Sequence, residues 1–347
     1  MSLINILKKK NKKLLFTTPS HGQKFFIFNK FRQFYKYDIS ETDAYNPEEA
    51  LYRAEKQAST IYGTNYTKFL TNGSTSGIIA SILACTKPHD KVLVWKNAHP
   101  CHHNAIKLAN CTPIYYEIEE VNDWGIPGAV NPDNVKKLLS ENNIKAIIIT
   151  SPSYEGIVSD ITKIKKICNE YNCYLIVDEA HGALYPFSDN LPESAVKIAD
   201  FTVQSLHKTA GGLNPTALLH SNCKINPEHA LSLINTTSPS YPLLASIEAT
   251  INYLKSKKGC KAIENLINEI NNLKLECKNN VEFYGDDPLK ILIKKEGLSG
   301  EKLSEILFDK YNIEDEKTNK FSTMLLCGIG TTHNQLQRLS KALKNIS

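Results

Sequence analysis

Between residues 64 and 221, short apolar runs alternate with amphipathic stretches, and this alternation restricts the fold more than any other feature of the chain. IKAIIITSPS and CYLIVDEAH (Cys173 to His181) carry Ile, Val and Leu at consecutive positions rather than at every second one. A strand with apolar side chains on both sides is buried on both faces, the condition of a parallel sheet covered by helices. The intervening segments read as those helices. NPDNVKKLLSEN has Asn131 as N-cap and Pro132 in its first turn, and ITKIKKICNEYN is amphipathic. Earlier in the chain TKFLTNGSTSG leads into a helix IIASILACT, DKVLVWKNAH is a strand, HHNAIKLAN a helix and TPIYYEIE a strand. The expectation is an α/β fold with a mostly parallel sheet. In such sheets ligands bind beyond the carboxyl ends of the strands, so the chemistry is sought there.

The rest of the chain frames this unit. With 347 residues and 41% hydrophobic content it can bury a large core, in one large and one smaller domain. Residues 1–50 read as an N-terminal arm, with a basic run Lys8 to Lys13 that is a solvated helix face. The aromatic segment Phe25 to Glu41 is expected to pack against another subunit, since exposed apolar patches are costly. PEEALYRAEKQASTIYG is a helix with Pro47 in its first turn and Gly63 past its end. After Thr216 to Ser221, a helical stretch from Pro227 to Lys258 is interrupted at Thr236 to Pro242. A smaller unit follows, with strands PLKILIKK and FSTMLLCGIG between three helices. The expected division is a large domain over 51–257 and a small α/β domain over 258–347. The net charge of +5 is not arranged as a basic stripe interleaved with aromatics, so nucleic acid is not an expected partner. No run approaches the ~18 apolar residues of a membrane span, and no signal-peptide core is seen at the start. Nine cysteines without framework spacing read as reduced thiols, which points to the cytoplasm.

The chemistry gathers at strand ends. CYLIVDEAH delivers Asp178 at the end of one strand, and ADFTVQSLHK (Ala199 to Lys208) delivers Ser205, His207 and Lys208 at the end of the next. Alone, the Asp reads as a turn residue and the Lys as a solvated one. Together they meet the needs of pyridoxal 5'-phosphate: an amine for a Schiff base, and a carboxylate that keeps the ring nitrogen protonated. TNGSTSG brackets Ser74, Thr75 and Ser76 between glycines where a helix begins, which suits either a phosphate or an ordinary helix cap. No GK[ST] follows, so it is not a P-loop. In WKNAHPCHH, His99 is the candidate to lie on a pyridine ring. A metal site from His99, Cys101, His102 and His103 matches no zinc spacing, and no metal is expected. In TSPSYEG, Ser151 and Ser153 either reach the ring hydroxyl or a phosphate, or form a plain turn. Ser205 and His207 would close the phosphate cup, and His181, three residues after Asp178, would orient that carboxylate. CGIGTTH lacks the third glycine of a dinucleotide site, and too little chain follows it.

With these pieces placed, the chain resembles the Orn/Lys/Arg decarboxylase family of pyridoxal-phosphate enzymes. The matching stretches are TPSHG, DISE, NGSTSG, KNAHPCHH, TSPSYEG, VDEAHGA, QSLHKTAGGL, TTSPSY followed by ASIEA, and DPLKILI. The resemblance implies a fold-type-I architecture, with a seven-stranded sheet and a small C-terminal domain. It implies decarboxylation of arginine, lysine or ornithine to carbon dioxide and a polyamine-type amine. It gives Lys208 the Schiff base, Asp178 the pyridine nitrogen and His99 the ring face. Ser74, Thr75, Ser205 and His207 hold the phosphate, and Ser240 reaches the phosphate of a neighbouring subunit in a homodimer with interfacial active sites. There are departures: Ser20 where the family has Gly, Lys96 for Arg, Pro100-Cys101 for a Lys-Ser pair, and Pro215 near a usual Gln. A further C-terminal domain of typical members is expected to be missing. An aminotransferase would want an arginine for the substrate carboxylate, and the small domain offers only Arg338, on an amphipathic helix. A non-catalytic cofactor-binding relative is the other alternative, and the joint presence of Lys208, Asp178 and His99 argues against it.

Overall fold

The structure is a computed structural model and describes residues 14–16 and 47–346. The basic run and the aromatic segment of the arm lie outside the described residues. The first helix, α1 (Pro47–Tyr62), stops at Gly63, whose φ of +70° suits the turn out of a helix.

Seven strands form the main sheet: β1 (Tyr66–Leu70), β2 (Lys91–Trp95), β3 (Thr112–Tyr116), β4 (Ile144–Thr150), β5 (Tyr174–Asp178), β6 (Phe201–Ser205) and β7 (Ala217–Ser221). Their spatial order is β1-β7-β6-β5-β4-β2-β3. β7 runs antiparallel to both of its neighbours, and the other pairings among the described strands are parallel. The helices between them are α2 (Gly73–Cys85), α3 (Pro100–Leu108), α4 (Pro132–Glu141) and α5 (Ile161–Glu170). The consecutive apolar runs do cover both faces. In β4, Ile148 packs with Ile78 and Ile106 of α2 and α3, whereas Ile147 and Ile149 pack with Val135 and Ile164 of α4 and α5. Asn131 caps α4 as its sequence implies, accepting from Asp133 N–H. Two helices begin earlier than the apolar pattern indicates. α2 starts at Gly73, so the Ser/Thr run forms its first turn instead of preceding it, and α3 starts at Pro100.

Register brings the site together. Ala217 of β7 lies opposite both Leu70 and Ser205, and Asp178 is paired with Thr150. The carboxyl ends of β1, β4, β5 and β6 thus share one edge.

Past β7 come α6 (Tyr241–Leu254) and α7 (Lys257–Cys277). A second sheet follows, built from β8 (Glu282–Tyr284), β9 (Lys290–Lys294), β10 (Lys317–Thr318) and β11 (Thr323–Leu326), in the antiparallel order β8-β9-β11-β10. It is flanked by α8 (Gly300–Tyr311) and α9 (His333–Lys344). One apolar cluster joins Ile291 and Leu325 of this sheet to Ile251 of α6 and to Leu218 of the main sheet. The opposite face of β9 carries Leu292, packed with Ile157 and Trp124 near the loops of the main sheet. Side chains alternate along a strand, so Lys290 lies on that same inner side.

Candidate active site

A cavity of about 430 Å³ opens at the shared carboxyl edge, between the main sheet and the second one. Lys208, Asp178, His99, His181 and Ser74 all lie on its wall. Candidates from four separate segments therefore converge on one space.

Asp178 ends β5 and is 5% exposed. One carboxylate oxygen accepts from His102 Nε2 at 2.8 Å and the other from the Ala180 backbone N–H at 3.1 Å. Burial alone would raise its pKa. The bond to His102 and the charges of His102 and Lys208 outweigh that and hold it below the ordinary carboxylate value. The residue that orients Asp178 is therefore His102, on the buried face of α3, and not His181 as the sequence reading had it. Spacing along the chain favoured the nearer histidine; the actual partner comes from a different strand–helix unit.

His181 instead lies between two amines. Its Nε2 is 3.0 Å from Lys208 Nζ, and its Nδ1 is in hydrogen-bond contact with Lys290 Nζ. Burial, then the charges of Lys208 and Lys290, push its pKa well below the usual histidine value. Lys208 sits in a single helical turn, Leu206–Thr209, directly after β6. Burial draws its pKa below the ordinary lysine value, against the pull of Asp178 and Glu316. A buried amine displaced toward its neutral form is a better nucleophile.

His99 is the N-cap of α3, where its Nδ1 faces Cys101 Sγ at 3.0 Å, and burial lowers its pKa. Cys101 Sγ, His102 and Asp178 bring ligand atoms within 4.8 Å of one another, a different set from the four residues weighed in the sequence. Burial pushes the Cys101 thiol up to about 12.

The residues fit a phosphorylated pyridine cofactor on an independent structural ground. The α2 N-terminus has no side-chain cap from Asn72; the Gly73 N–H donates to the Pro215 carbonyl at 2.9 Å, and Ser74 stands next to it on the cavity wall. Ser205 Oγ is fully buried at the same edge without a hydrogen-bond partner among the described residues. His207 Nδ1 faces the Thr216 carbonyl at 3.1 Å; like Ser205 and Thr75, His207 is not one of the residues that line the cavity. Two serines are used locally. Ser76 Oγ donates to the Gly73 carbonyl at 2.8 Å, and Ser151 Oγ accepts from Ser159 N–H at 3.1 Å. Neither is on the cavity wall; Thr150 and Ser153 occupy the place expected of Ser151. Thr75 is exposed beside Cys101. Ser240 caps α6 without making a side-chain capping bond, away from the cavity.

The sequence reading missed the far wall. Tyr154 donates to Glu316 at 2.6 Å, and Glu155 pairs with Lys317. Tyr154 and Glu155 were visible in TSPSYEG, but nothing in the spacing tied them to residues 162 positions away.

The family model for Orn/Lys/Arg decarboxylase, major domain, matches residues 7–285. An arginine decarboxylase of Bacillus anthracis is 29% identical, over 88% of this chain and 66% of its own length. The uncharacterized protein YaaO of Bacillus subtilis (strain 168) is 31% identical, over 91% of this chain and 71% of its own. Among solved structures, the constitutive lysine decarboxylase of E. coli superposes with a TM-score of 0.77 at 18% identity, over 92% of this chain and 55% of that one. A structure of SPT with PLP gives 0.75 at 14% identity, covering 96% and 87%. At these identities the two structures speak for the fold alone, and the fold is the α/β fold type I expected from the sequence. The chain spans about two thirds of the arginine decarboxylase and about half of the lysine decarboxylase.

Proposed function

The chain belongs to the Orn/Lys/Arg decarboxylase family, and from that premise we propose that it is a pyridoxal-phosphate-dependent decarboxylase of arginine, lysine or ornithine, releasing carbon dioxide and the matching amine. The observation that carries this reading is the meeting of Lys208, Asp178 and His99 on the wall of one cavity. When bound, the cofactor supplies a ring that accepts the electron pair left behind as the substrate's carboxylate departs.

The chain's own residues prepare the space for that chemistry. Lys208 would provide the amine that holds the cofactor. Asp178, kept ionised by His102, fixes a proton at the ring nitrogen. His99 covers one ring face. The α2 N-terminus with Ser74 and Thr75, together with Ser205 and His207, receives the phosphate. The cavity's apolar wall, with Trp95 and Ile118, limits water around the reacting carboxylate. Among the described residues no arginine lines the cavity, which leaves an aminotransferase without its usual clamp for a carboxylate that stays on. In this reading the enzyme is a cytoplasmic homodimer, with Ser240 directed to the neighbouring subunit's phosphate.

The test is turnover of the purified, cofactor-loaded protein on arginine, lysine and ornithine separately, following both carbon dioxide and amine. Release of both from one of them, abolished in Lys208→Ala, is the expected result. A protein that binds the cofactor yet releases neither product from any of the three would sink the proposal.

A further inference from the structure

Lys290 is fully buried, and the contacts around it are particular. Its Nζ touches His181 Nδ1 and donates to the Tyr154 carbonyl at 3.2 Å. Gly156, at φ +96°, makes room for its stem: a Cβ there would lie 2.7 Å from Lys290 Cγ. His181 Nε2 is in turn 3.0 Å from Lys208 Nζ. A neutral imidazole has one N–H and one lone pair, while an ammonium can only donate. With an amine at each ring nitrogen, His181 can accept from one ammonium; the other amine must offer its own lone pair to the ring N–H. With both hydrogen bonds made, the Lys208–His181–Lys290 chain thus holds a single excess proton. It has two arrangements. In one, Lys290 is the ammonium and donates to Nδ1, and the Nε2–H donates to a neutral Lys208. In the other, Lys208 is the ammonium and Lys290 is neutral. Passing between them moves one proton from Lys290 to Lys208 and exchanges the tautomer of His181, with nothing else consumed or released.

We propose that Lys290 is a positioning residue that stores this proton through His181, so that the Lys208 amine is neutral whenever it must act as a nucleophile. The proposal rests on the assignment of Lys208 above, but not on the reaction that the site performs. The two hydrogen bonds to His181 carry it, and the charged groups around Lys290 set the balance between the two arrangements. Burial lowers Lys290 to about 7, countered by Asp287, and Lys208's charge lowers it further, with Glu316 and Glu155 opposing. His181 also faces the charges of His207 and Lys317. Lys290 is thus poised to take up or release its proton where an ordinary lysine cannot.

The experiment uses the cofactor-free full chain. Lys208 is labelled with trinitrobenzenesulfonate, which reacts only with neutral amines, across a range of pH, and the Lys208 peptide is quantified by mass. Lys290→Met removes the alternative seat for the proton and a neighbouring positive charge. The midpoint for Lys208 should rise by about one pH unit or more, an approximately tenfold loss of labelling rate at a fixed pH below it. Lys290→Arg holds its proton permanently and should lower the midpoint below that of the unchanged chain. Circular dichroism establishes that each variant is folded. A folded Lys290→Met chain with an unmoved midpoint overturns the proposal. If that variant does not fold, a Lys290→Arg midpoint equal to or above the unchanged chain's overturns it. No substrate is present, so failure to decarboxylate any amino acid leaves this result standing.

Discussion

Asp178 and His102 show what single residues decide here. The pair is buried, with side chains 7% and 0% exposed, and each supplies the other's polar partner. Replacing His102 with Leu leaves a carboxylate in the interior without its main counter-group, a loss expected to cost about 3 kcal/mol. Urea unfolding would measure it. The sign with pH also follows. Asp178's folded pKa lies below its unfolded value, so its contribution to stability is present above the ordinary carboxylate value and is lost as pH falls through the folded one. In His102→Leu burial is opposed only by the Lys208 charge and the Ala180 N–H, so that pKa rises and the stability gap between the two proteins should narrow as pH falls below about 4. A gap that stays constant below that pH as well would show that the pair contributes by packing only. At this scale the sequence was legible where chemistry and position coincide: Lys208, Asp178 and His99 each end a strand or open the helix after it. It was illegible where one type of residue had several possible partners. His102 and His181 both lie near the site in sequence, and only the packing of α3 beneath β5 determines which one reaches Asp178.

Among the elements, α2 joins fold to function. Gly77 allows the helix to rest directly on the sheet, because a Cβ there would come within 2.8 Å of Val203 and 2.9 Å of Leu70. Those side chains belong to β6 and β1, the strands whose ends carry the site. Gly77→Ala should cost about 1–3 kcal/mol through overpacking and push the α2 N-terminus away from Ser205. Phosphate-analogue affinity and the thermal midpoint should fall together; a lower midpoint with unchanged affinity would separate packing from the site. The apolar pattern located α2 well but misplaced its start. Gly, Ser and Thr are poor residues for a helix interior, so NGSTSG looked like a loop. The first turn tolerates them, because its N–H groups have no intrahelical acceptor in any case.

Across the whole molecule, the second sheet closes the site. Glu155 is almost wholly enclosed, its side chain 1% exposed, and pairs with Lys317 of β10, while Tyr154 reaches Glu316. The backbone N–H groups of Asp286 and Asp287 both donate to the Gly156 carbonyl. Lys317→Met would leave the Glu155 carboxylate with the Ser153 hydroxyl alone and should destabilise the protein by about 1–3 kcal/mol, with the cavity-lining tryptophan Trp95 giving a fluorescence signal for loosening there. An unchanged melting midpoint would show that Glu155 finds another donor. These links cross more than a hundred residues of chain, beyond the reach of periodicity and spacing. The strand–helix alternation foretold the main sheet; the way the second sheet leans on it had to be seen in three dimensions.

β1 is the first strand of the main sheet to be synthesised, yet in the finished sheet its one neighbour is β7, about 150 residues further on. A ribosome adding roughly 5–20 residues each second leaves that edge open for many seconds. During that interval Leu70 and the start of α2 have no Ala217 or Ser205 to register against. Lys290 and Lys317 emerge later still. The half-made protein therefore carries an exposed strand edge that needs guarding from its neighbours, and it has no working pocket. The pocket takes shape only once the second sheet has been made.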